Sequence, residues 1–183
     1  MKLVDQILSE LEHAPKDGRL HLYALLDAAR ENRVPTMLRN IPEHSDCLYE
    51  GQKARDLAPF APYLVEMEGD SPFLKELAVQ AVGGAYCVFL SSKLPYDEMR
   101  RHFRHFLMVQ TEDGKEVYFR FYDPRVLRVF LPNCTPEELR TFMGPIQSFW
   151  VEAREPGIVS RFSLKSDGLL NEERFENQVA NHV

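Results

Sequence analysis

Residues 20–27 read Leu-His-Leu-Tyr-Ala-Leu-Leu-Asp, a mostly apolar run that ends in an aspartate. A short apolar run of this length is typical of a strand that is buried within a sheet. A second run, Ala-Tyr-Cys-Val-Phe-Leu-Ser at residues 85–91, has the same character and follows two glycines. Together the two runs predict the centre of a sheet, with Asp27 emerging where the first strand ends.

Three helices are predicted by the same chemistry at their first residues. Ser71-Pro72, Asp123-Pro124 and Thr135-Pro136 each place an oxygen-bearing side chain directly before a proline. The oxygen accepts a backbone N–H of the first turn, and proline has no N–H to leave unpaired there. Glu138 follows Thr135 by three residues and completes a capping box. Helical spacing of apolar residues predicts two further helices, near residues 3–13 and beginning at Pro95.

The later part of the chain alternates strands and turns. Asp113-Gly114 predicts a turn between strands at 106–111 and 115–122, and two more strands are predicted at 147–154 and 158–164. Strands alternate with helices early and pair as hairpins late, which predicts an α/β fold. We expect a mixed β-sheet with packed helices in a single compact domain.

We place the domain at residues 1–150. The remaining residues, 151–183, are predicted to be a short C-terminal extension, either a polar tail or a reduced second lobe.

Composition excludes several classes of protein. The 183 residues are 44% hydrophobic and 27% charged, which is ordinary for one globular domain and not for disordered, collagenous or coiled-coil chains. The net charge of −6 argues against a nucleic-acid binder, because phosphate binding needs clustered positive charge. No signal peptide is apparent, and no apolar run approaches the roughly 20 residues of a membrane span. The three scattered cysteines fit a reducing compartment, so we expect a cytoplasmic protein that binds no membrane.

The helix that begins at Pro95 carries a basic face. Arg100, Arg101 and Arg104 share it with His102 and His105, which are spaced so that they could ligate a metal from one side of a helix. No carboxylate or cysteine stands beside them at ligand spacing, so a solvated basic face is the favoured interpretation. A third interpretation is that the arginines form a patch for an acidic partner.

The most unusual stretch is Arg-Phe-Tyr-Asp-Pro-Arg at residues 120–125, where a strand is predicted to end and a helix to begin. Asp123 is either the helix cap or a catalytic carboxylate. The cap is favoured because the Asp-Pro start already explains the residue. Arg120 or Arg125 is then expected to form an ion pair with a carboxylate such as Asp27.

With these residues in view, the chain resembles a bacterial family first catalogued as a domain of unknown function. That family is associated with type VI secretion, as adaptor chaperones for effectors. The resemblance covers about residues 20–149, in the family's order and spacing. It is carried by residues 22–29, 57–65, 84–92, 99–107, 119–127 and 142–146.

The resemblance implies a cytoplasmic loading factor without enzymatic activity, cofactor, metal or small-molecule substrate. Such an adaptor binds a secreted effector, through its N-terminal segment, and delivers it to the VgrG spike protein. Only 33 residues follow Trp150, so the C-terminal lobe of larger members is missing or reduced. The residues that the resemblance marks as structural or partner-binding candidates are Tyr23, Asp27, Pro62, Arg120, Tyr122, Asp123, Pro124, Arg125, Gly144 and Pro145.

Two other classes of function stay open from the sequence. One is an immunity protein that neutralises a toxin, since such proteins are also small and acidic. The other is a small hydrolase or transferase that uses Asp123, His21 or His105, although no nucleophile-elbow, phosphate-loop or zinc-protease motif is present.

Overall fold

The computed structural model describes residues 3–13, 19–80, 82–111 and 113–177. The helices in these ranges are α1 (Leu3–Glu12), α2 (Val34–Leu38), α3 (Gly51–Asp56), α4 (Pro72–Gln80), α5 (Tyr96–Arg104), α6 (Pro124–Asn133) and α7 (Pro136–Met143), with a short 3-10 helix at Ala58–Phe60. The strands are β1 (His21–Asp27), β2 (Ser45–Cys47), β3 (Pro62–Met67), β4 (Cys87–Ser92), β5 (Met108–Gln110), β6 (Glu116–Tyr118), β7 (Ile146–Glu152), β8 (Ile158–Leu164) and β9 (Leu170–Glu176).

Seven strands form one sheet in the order β2-β3-β1-β4-β7-β8-β9. The central strand β1 pairs Leu25 with Leu64 of β3 on one side and with Val88 of β4 on the other. The α/β fold class and the single domain are confirmed. The sheet was expected to be mixed, and its pairings between described strands are all antiparallel. An apolar run reports that both faces of a strand are buried, and it carries no information about strand direction.

Successive side chains of a strand point to opposite faces of a sheet, so each buried strand supplies apolar side chains to both faces. Helices pack against both faces and cover these side chains. Residues 22–26 are each at most 2% exposed, and burying one leucine in this way contributes about 2 kcal/mol. One core packs Tyr23 and Leu25 against side chains of α5, α6 and α7, among them Met99, Phe103, Leu127, Leu131 and Phe142. The other core packs Leu22, Ala24 and Leu26 against side chains of α1 and α4, among them Leu3, Ile7, Leu74 and Leu77.

The predicted helix caps are present. Ser71 Oγ accepts the N–H of Leu74 at 3.2 Å, and Thr135 Oγ1 accepts the N–H of Glu138 at 3.3 Å. The Glu138 carboxylate accepts the N–H of Thr135 in return, which confirms the capping box. Within the described ranges, no helix is long and apolar enough to cross a membrane.

The sheet continues beyond the predicted domain boundary. Strand β7 runs through residue 150, and β8 and β9 add two more strands to the same sheet. Residues 151–177 therefore form neither a tail nor a separate lobe, and residues 178–183 of the predicted extension lie outside the described residues. Strand β9 escaped prediction because an edge strand keeps charged side chains in water and lacks a continuous apolar run.

The predicted hairpin is shorter than its sequence pattern. Strands β5 and β6 form a separate two-stranded sheet that turns at Asp113-Gly114, with Gly114 at a φ of 78°. The second strand was expected to reach residue 122, but the ladder ends at Tyr118. Residues 120–123 instead form a turn, in which the N–H of Asp123 donates to the carbonyl of Arg120 at 3.0 Å. The chain turns at these residues because Asp123 and Pro124 begin α6, so the strand cannot continue to residue 122.

One carboxylate fastens α1 to the sheet. Glu10 accepts hydrogen bonds from Ser91 on β4, from Ser148 on β7 at 2.9 Å and from Arg161 on β8 at 2.7 Å. Arg161 also pairs with Glu173 on β9 at 2.7 Å. Glu10 thus connects the first helix of the described chain to three strands directly and to a fourth through the arginine.

We expect Glu10→Ala to lower the free energy of unfolding by about 2 kcal/mol, because two buried serines lose their acceptor and Arg161 keeps only its pair with Glu173. Glu12→Ala, on the exposed side of the same helix, is the matched control and should change it by less than about 0.5 kcal/mol. Urea titration of the three proteins measures both effects. Equal stability of the two variants would contradict the fastening role of Glu10.

Candidate functional site

A chain of alternating aspartates and arginines lies where the hairpin leads into α6. One of its aspartates, Asp27, comes from the end of β1. Arg120 Nη2 forms an ion pair with Oδ2 of Asp27, and its distance to Oδ2 of Asp123 is 3.9 Å. Arg125 holds the same Asp123 with two hydrogen bonds, Nη2 to Oδ2 at 2.6 Å and Nε to Oδ1 at 3.0 Å. We call these four residues the aspartate–arginine cluster. The sequence left open whether Arg120 or Arg125 pairs with a carboxylate such as Asp27, and in the structure Arg120 is the one that pairs with Asp27.

The end of β1 delivers Asp27 to this cluster. Asp27 lies opposite Pro62 in the register of β1 and β3, and Oδ1 of Asp27 accepts the N–H of Ala29 at 3.0 Å. The carbonyl of Pro62 accepts the N–H of Leu48 at 2.9 Å, which brings the segment after β2 alongside. Burial raises the pKa of Asp27, and the hydrogen bond and charge of Arg120 oppose that rise.

Asp123 has two tasks at the start of α6. Its Oδ1 accepts the backbone N–H of Arg125 at 2.9 Å, so the predicted N-cap is confirmed, and Pro124 occupies the first helical position. Burial would raise the pKa of Asp123, but the hydrogen bonds and charge of Arg125 hold it below its ordinary value. Asp123 is therefore an ionised cap that also fixes the guanidinium of Arg125.

A layer of tyrosines lies against the cluster. The hydroxyl of Tyr122 is buried 3.4 Å from that of Tyr49, and the rings of Tyr49 and Tyr118 are 5.5 Å apart. The cation of Lys53 lies 5.6 Å from the centre of the Tyr118 ring, and the guanidinium of Arg120 lies 6.0 Å from that of Tyr122. Cations over aromatic rings at these distances are attracted to them. The layer joins α3, the hairpin and the cluster into one surface.

The two arginines of the cluster are partly exposed to solvent, and its two aspartates are buried. The side chains of Arg120 and Arg125 are 37% and 44% exposed, whereas those of Asp27 and Asp123 are 0% and 2% exposed. A partner that approaches this surface therefore contacts the outer edges of two oriented guanidiniums. Such edges donate paired hydrogen bonds to carboxylates, and arginine and tyrosine are enriched at the energetic centres of protein interfaces.

Sequence reasoning missed Tyr49, Lys53 and Tyr118 as members of this surface. Their contacts join residues more than 60 positions apart, so no local spacing signals them. The available signal was the tyrosine content of the predicted strand at 115–122.

Three motif candidates lie at the opposite end of β1 from Asp27. The hydroxyl of Tyr23 donates to the carbonyl of Leu94 at 2.8 Å, and the carbonyl of Pro145 accepts the N–H of Lys93 at 3.3 Å. Gly144 ends α7 with a φ of 27°, a conformation that favours glycine. Tyr23, Gly144 and Pro145 therefore have structural contacts that explain them, and they do not join the cluster.

The three arginines predicted as an acidic-partner patch differ in their surroundings. Arg104 pairs with Glu50, and Nη1 of Arg100 lies 3.7 Å from Oδ2 of Asp46. Arg101 is exposed and has no ion pair among the described residues. Two of the three cations are therefore partly neutralised within the chain, and Arg101 is the one that faces solvent freely.

His102, His105 and His21, which the sequence offered as metal ligands or catalytic groups, have separate surroundings. Nε2 of His102 is 2.8 Å from the carbonyl of Phe142, and burial lowers the pKa of His102, while His105 is exposed. His21 stands at the start of β1, at the other end of the strand from the ion pair that leads to Asp123. Among the described residues, no group of three or more His, Cys, Asp or Glu side chains could hold a metal ion.

Comparison with known families finds a match. A family model described as "Domain of unknown function (DUF4123)" matches residues 22–141, which lie within the range of the resemblance. The matched range begins in β1, ends in α7 and contains the whole aspartate–arginine cluster. Comparisons with curated proteins and with solved structures find no match.

We expect Arg120→Met to lower the free energy of unfolding by about 3 kcal/mol, because it leaves the buried carboxylate of Asp27 without a cation. The double variant Asp27→Asn/Arg120→Met should recover most of that loss, since no uncompensated charge remains. Chemical denaturation of the single and double variants measures both values. A double variant as unstable as the single one would contradict the role assigned to the pair.

A pH titration of stability tests the state of Asp123. Its pKa in the folded protein is below its ordinary value of 3.8, so its charge contributes stability above that value and loses it as the pH falls. Near neutral pH we expect the free energy of unfolding of wild type to be about 1 kcal/mol higher than that of Asp123→Asn. This difference should shrink below about pH 4. Asp123→Ala, which also loses the cap, should cost about 1 kcal/mol or somewhat more. A difference that does not change with pH would contradict the ionised cap.

Proposed function

The chain belongs to the DUF4123 family, and from this membership we propose that it is a non-enzymatic adaptor chaperone of type VI secretion. In this proposal it binds a secreted effector in the cytoplasm, through the N-terminal segment of the effector. It then helps to load that effector onto a VgrG spike protein. No cofactor takes part, because the task is recognition and delivery.

The observation that carries the proposal is the orientation of the aspartate–arginine cluster inside the matched range. Both guanidiniums are held by buried carboxylates and turn their outer edges to solvent. Fixed arginines lose little side-chain entropy when a partner binds, which favours a protein-binding surface.

An adaptor needs a second surface for its second partner. The family match ends in α7, so strands β7, β8 and β9 lie outside it and extend the sheet on the far side of β4. The outermost strand β9 exposes a row of charged side chains, Glu172, Glu173 and Arg174 among them. We place the second contact on this side, away from the cluster.

The enzyme alternative needs Asp123, His21 or His105 for catalysis, and His21 lies at the other end of β1 from the cluster that holds Asp123. The immunity alternative differs in its consequence for the cell. An immunity protein protects the cell that makes it from the toxin, whereas an adaptor is required for export of that toxin.

Co-purification tests the proposal. We expect the tagged chain to capture the effector encoded beside it and a VgrG-type spike protein, and we expect its deletion to abolish export of that effector. The stability variant Glu12→Ala serves as a folded positive control. Capture of neither class of protein would overturn the adaptor function. Protection from the toxin without any effect on export would instead establish an immunity protein.

A further inference from the structure

Four exposed or partly exposed cations and one tyrosine lie on α5, α3 and β6 and around the start of α6. We call Arg101, Lys53, Tyr118, Arg120 and Arg125 the basic strip. Arg101, Lys53, Tyr118 and Arg125 are exposed, and Arg120 is partly exposed. The net charge of the chain is −6, so the strip opposes the charge of the molecule that carries it.

The segment after β2 ties the elements that carry the strip to one another. Arg104 Nε donates to the carbonyl of Leu48 at 3.0 Å, which ties the end of α5 to this segment. The next residue, Tyr49, contacts both Tyr118 and Tyr122. The α5 end of the strip and the aspartate–arginine cluster are therefore joined through residues 48 and 49.

The α5 end of the strip is concave. A groove of about 460 Å³ is lined by Glu50, Asp97, Arg100, Arg101, Arg104 and His105. Nε of Arg100 is buried there and has no hydrogen-bond partner in the described part of the chain. Glu50 and Asp97 offset part of the positive charge, and the exposed Arg101 at the rim has no ion pair with any residue that the structure describes.

An aromatic side chain accompanies the cations. Tyr118 of β6 is exposed beside Lys53, whereas the exposed Val117 and its cross-strand partner Val109 point to the other face of the hairpin. A partner that fits this surface needs carboxylates at the cations and an apolar or aromatic group beside Tyr118. The exposed carboxylate of Glu50 would repel a continuous phosphate backbone, whereas a peptide can place a neutral side chain there.

We infer that the basic strip binds an extended acidic segment of a protein partner, one in which carboxylates alternate with apolar or aromatic side chains. That this segment belongs to the effector rests on the proposed function. The chemistry of the segment is inferred from the strip alone. The buried Asp27 and Asp123 hold the two arginines in place without meeting the partner.

The probe is a fluorescein-labelled synthetic peptide in which Asp and Tyr alternate, followed by fluorescence anisotropy at low salt. The test variant is Lys53→Glu/Arg101→Glu, which changes two exposed cations of the strip and leaves its ion pairs intact. The control variant is Lys75→Glu/Arg154→Glu, which makes the same change of charge at exposed positions on α4 and after β7. Tyr118→Ala tests the aromatic part separately.

We expect the test variant to bind the peptide at least about tenfold more weakly than wild type, and the control to stay within about twofold. A peptide with Asn in place of Asp should bind wild type as weakly as the test variant does. Equal losses in both charge variants, or equal binding of the Asp and Asn peptides, would overturn the inference. So would tight binding of a DNA oligonucleotide in place of the peptide.

Effector capture separates this inference from the proposed function. If wild type captures no effector but the peptide results hold, the adaptor function fails and the strip stands. If wild type and Lys53→Glu/Arg101→Glu capture the effector equally well, the strip fails as its docking site and the adaptor function stands.

Discussion

The wholly buried carboxylate of Asp27 sets the main constraint on this structure. A charge without solvent needs a partner, and Arg120 is the cation that the fold supplies. The pair joins the end of the central strand to the turn before α6, which is 93 residues further along the chain. Because Arg120 must reach inward to Asp27, its remaining edge is fixed at the surface. The position of the cluster, and of the surface built around it, follows from this one ion pair.

Much of the fold could be predicted from local chemistry. The apolar runs at 20–27 and 85–91 gave the centre of the sheet, and the oxygen-then-proline pairs gave the starts of three helices. Strand direction and the edge strand β9 could not be predicted, since the first leaves no trace in hydrophobicity and the second is mostly polar. The hairpin was overestimated because alternating aromatic residues continue past Tyr118 into a turn that the helix cap requires.

The site divides in the same way. The alternating charges of residues 120–125 are adjacent in sequence, and a partner such as Asp27 could be named because a strand was predicted to end there. The surroundings of the α5 arginines could not be predicted, because Asp46 and Glu50 approach them only after the sheet has formed. The contact between Lys53 and Tyr118 could not be predicted either, because it too forms only when distant parts of the chain come together. Long-range contacts decide which exposed charges remain free for a partner.

The fastening of α1 by Glu10 has a consequence for where this protein can be cut. Glu10 lies before the family-matched range, and Ser148, Arg161 and Glu173 lie after it. Trp150, also beyond the range, is fully buried in the same core as Ile7 and Leu22. The two flanks are thus parts of one cooperative unit that closes over the family-matched segment. Sequence similarity delimits a shorter stretch of chain than the one that folds.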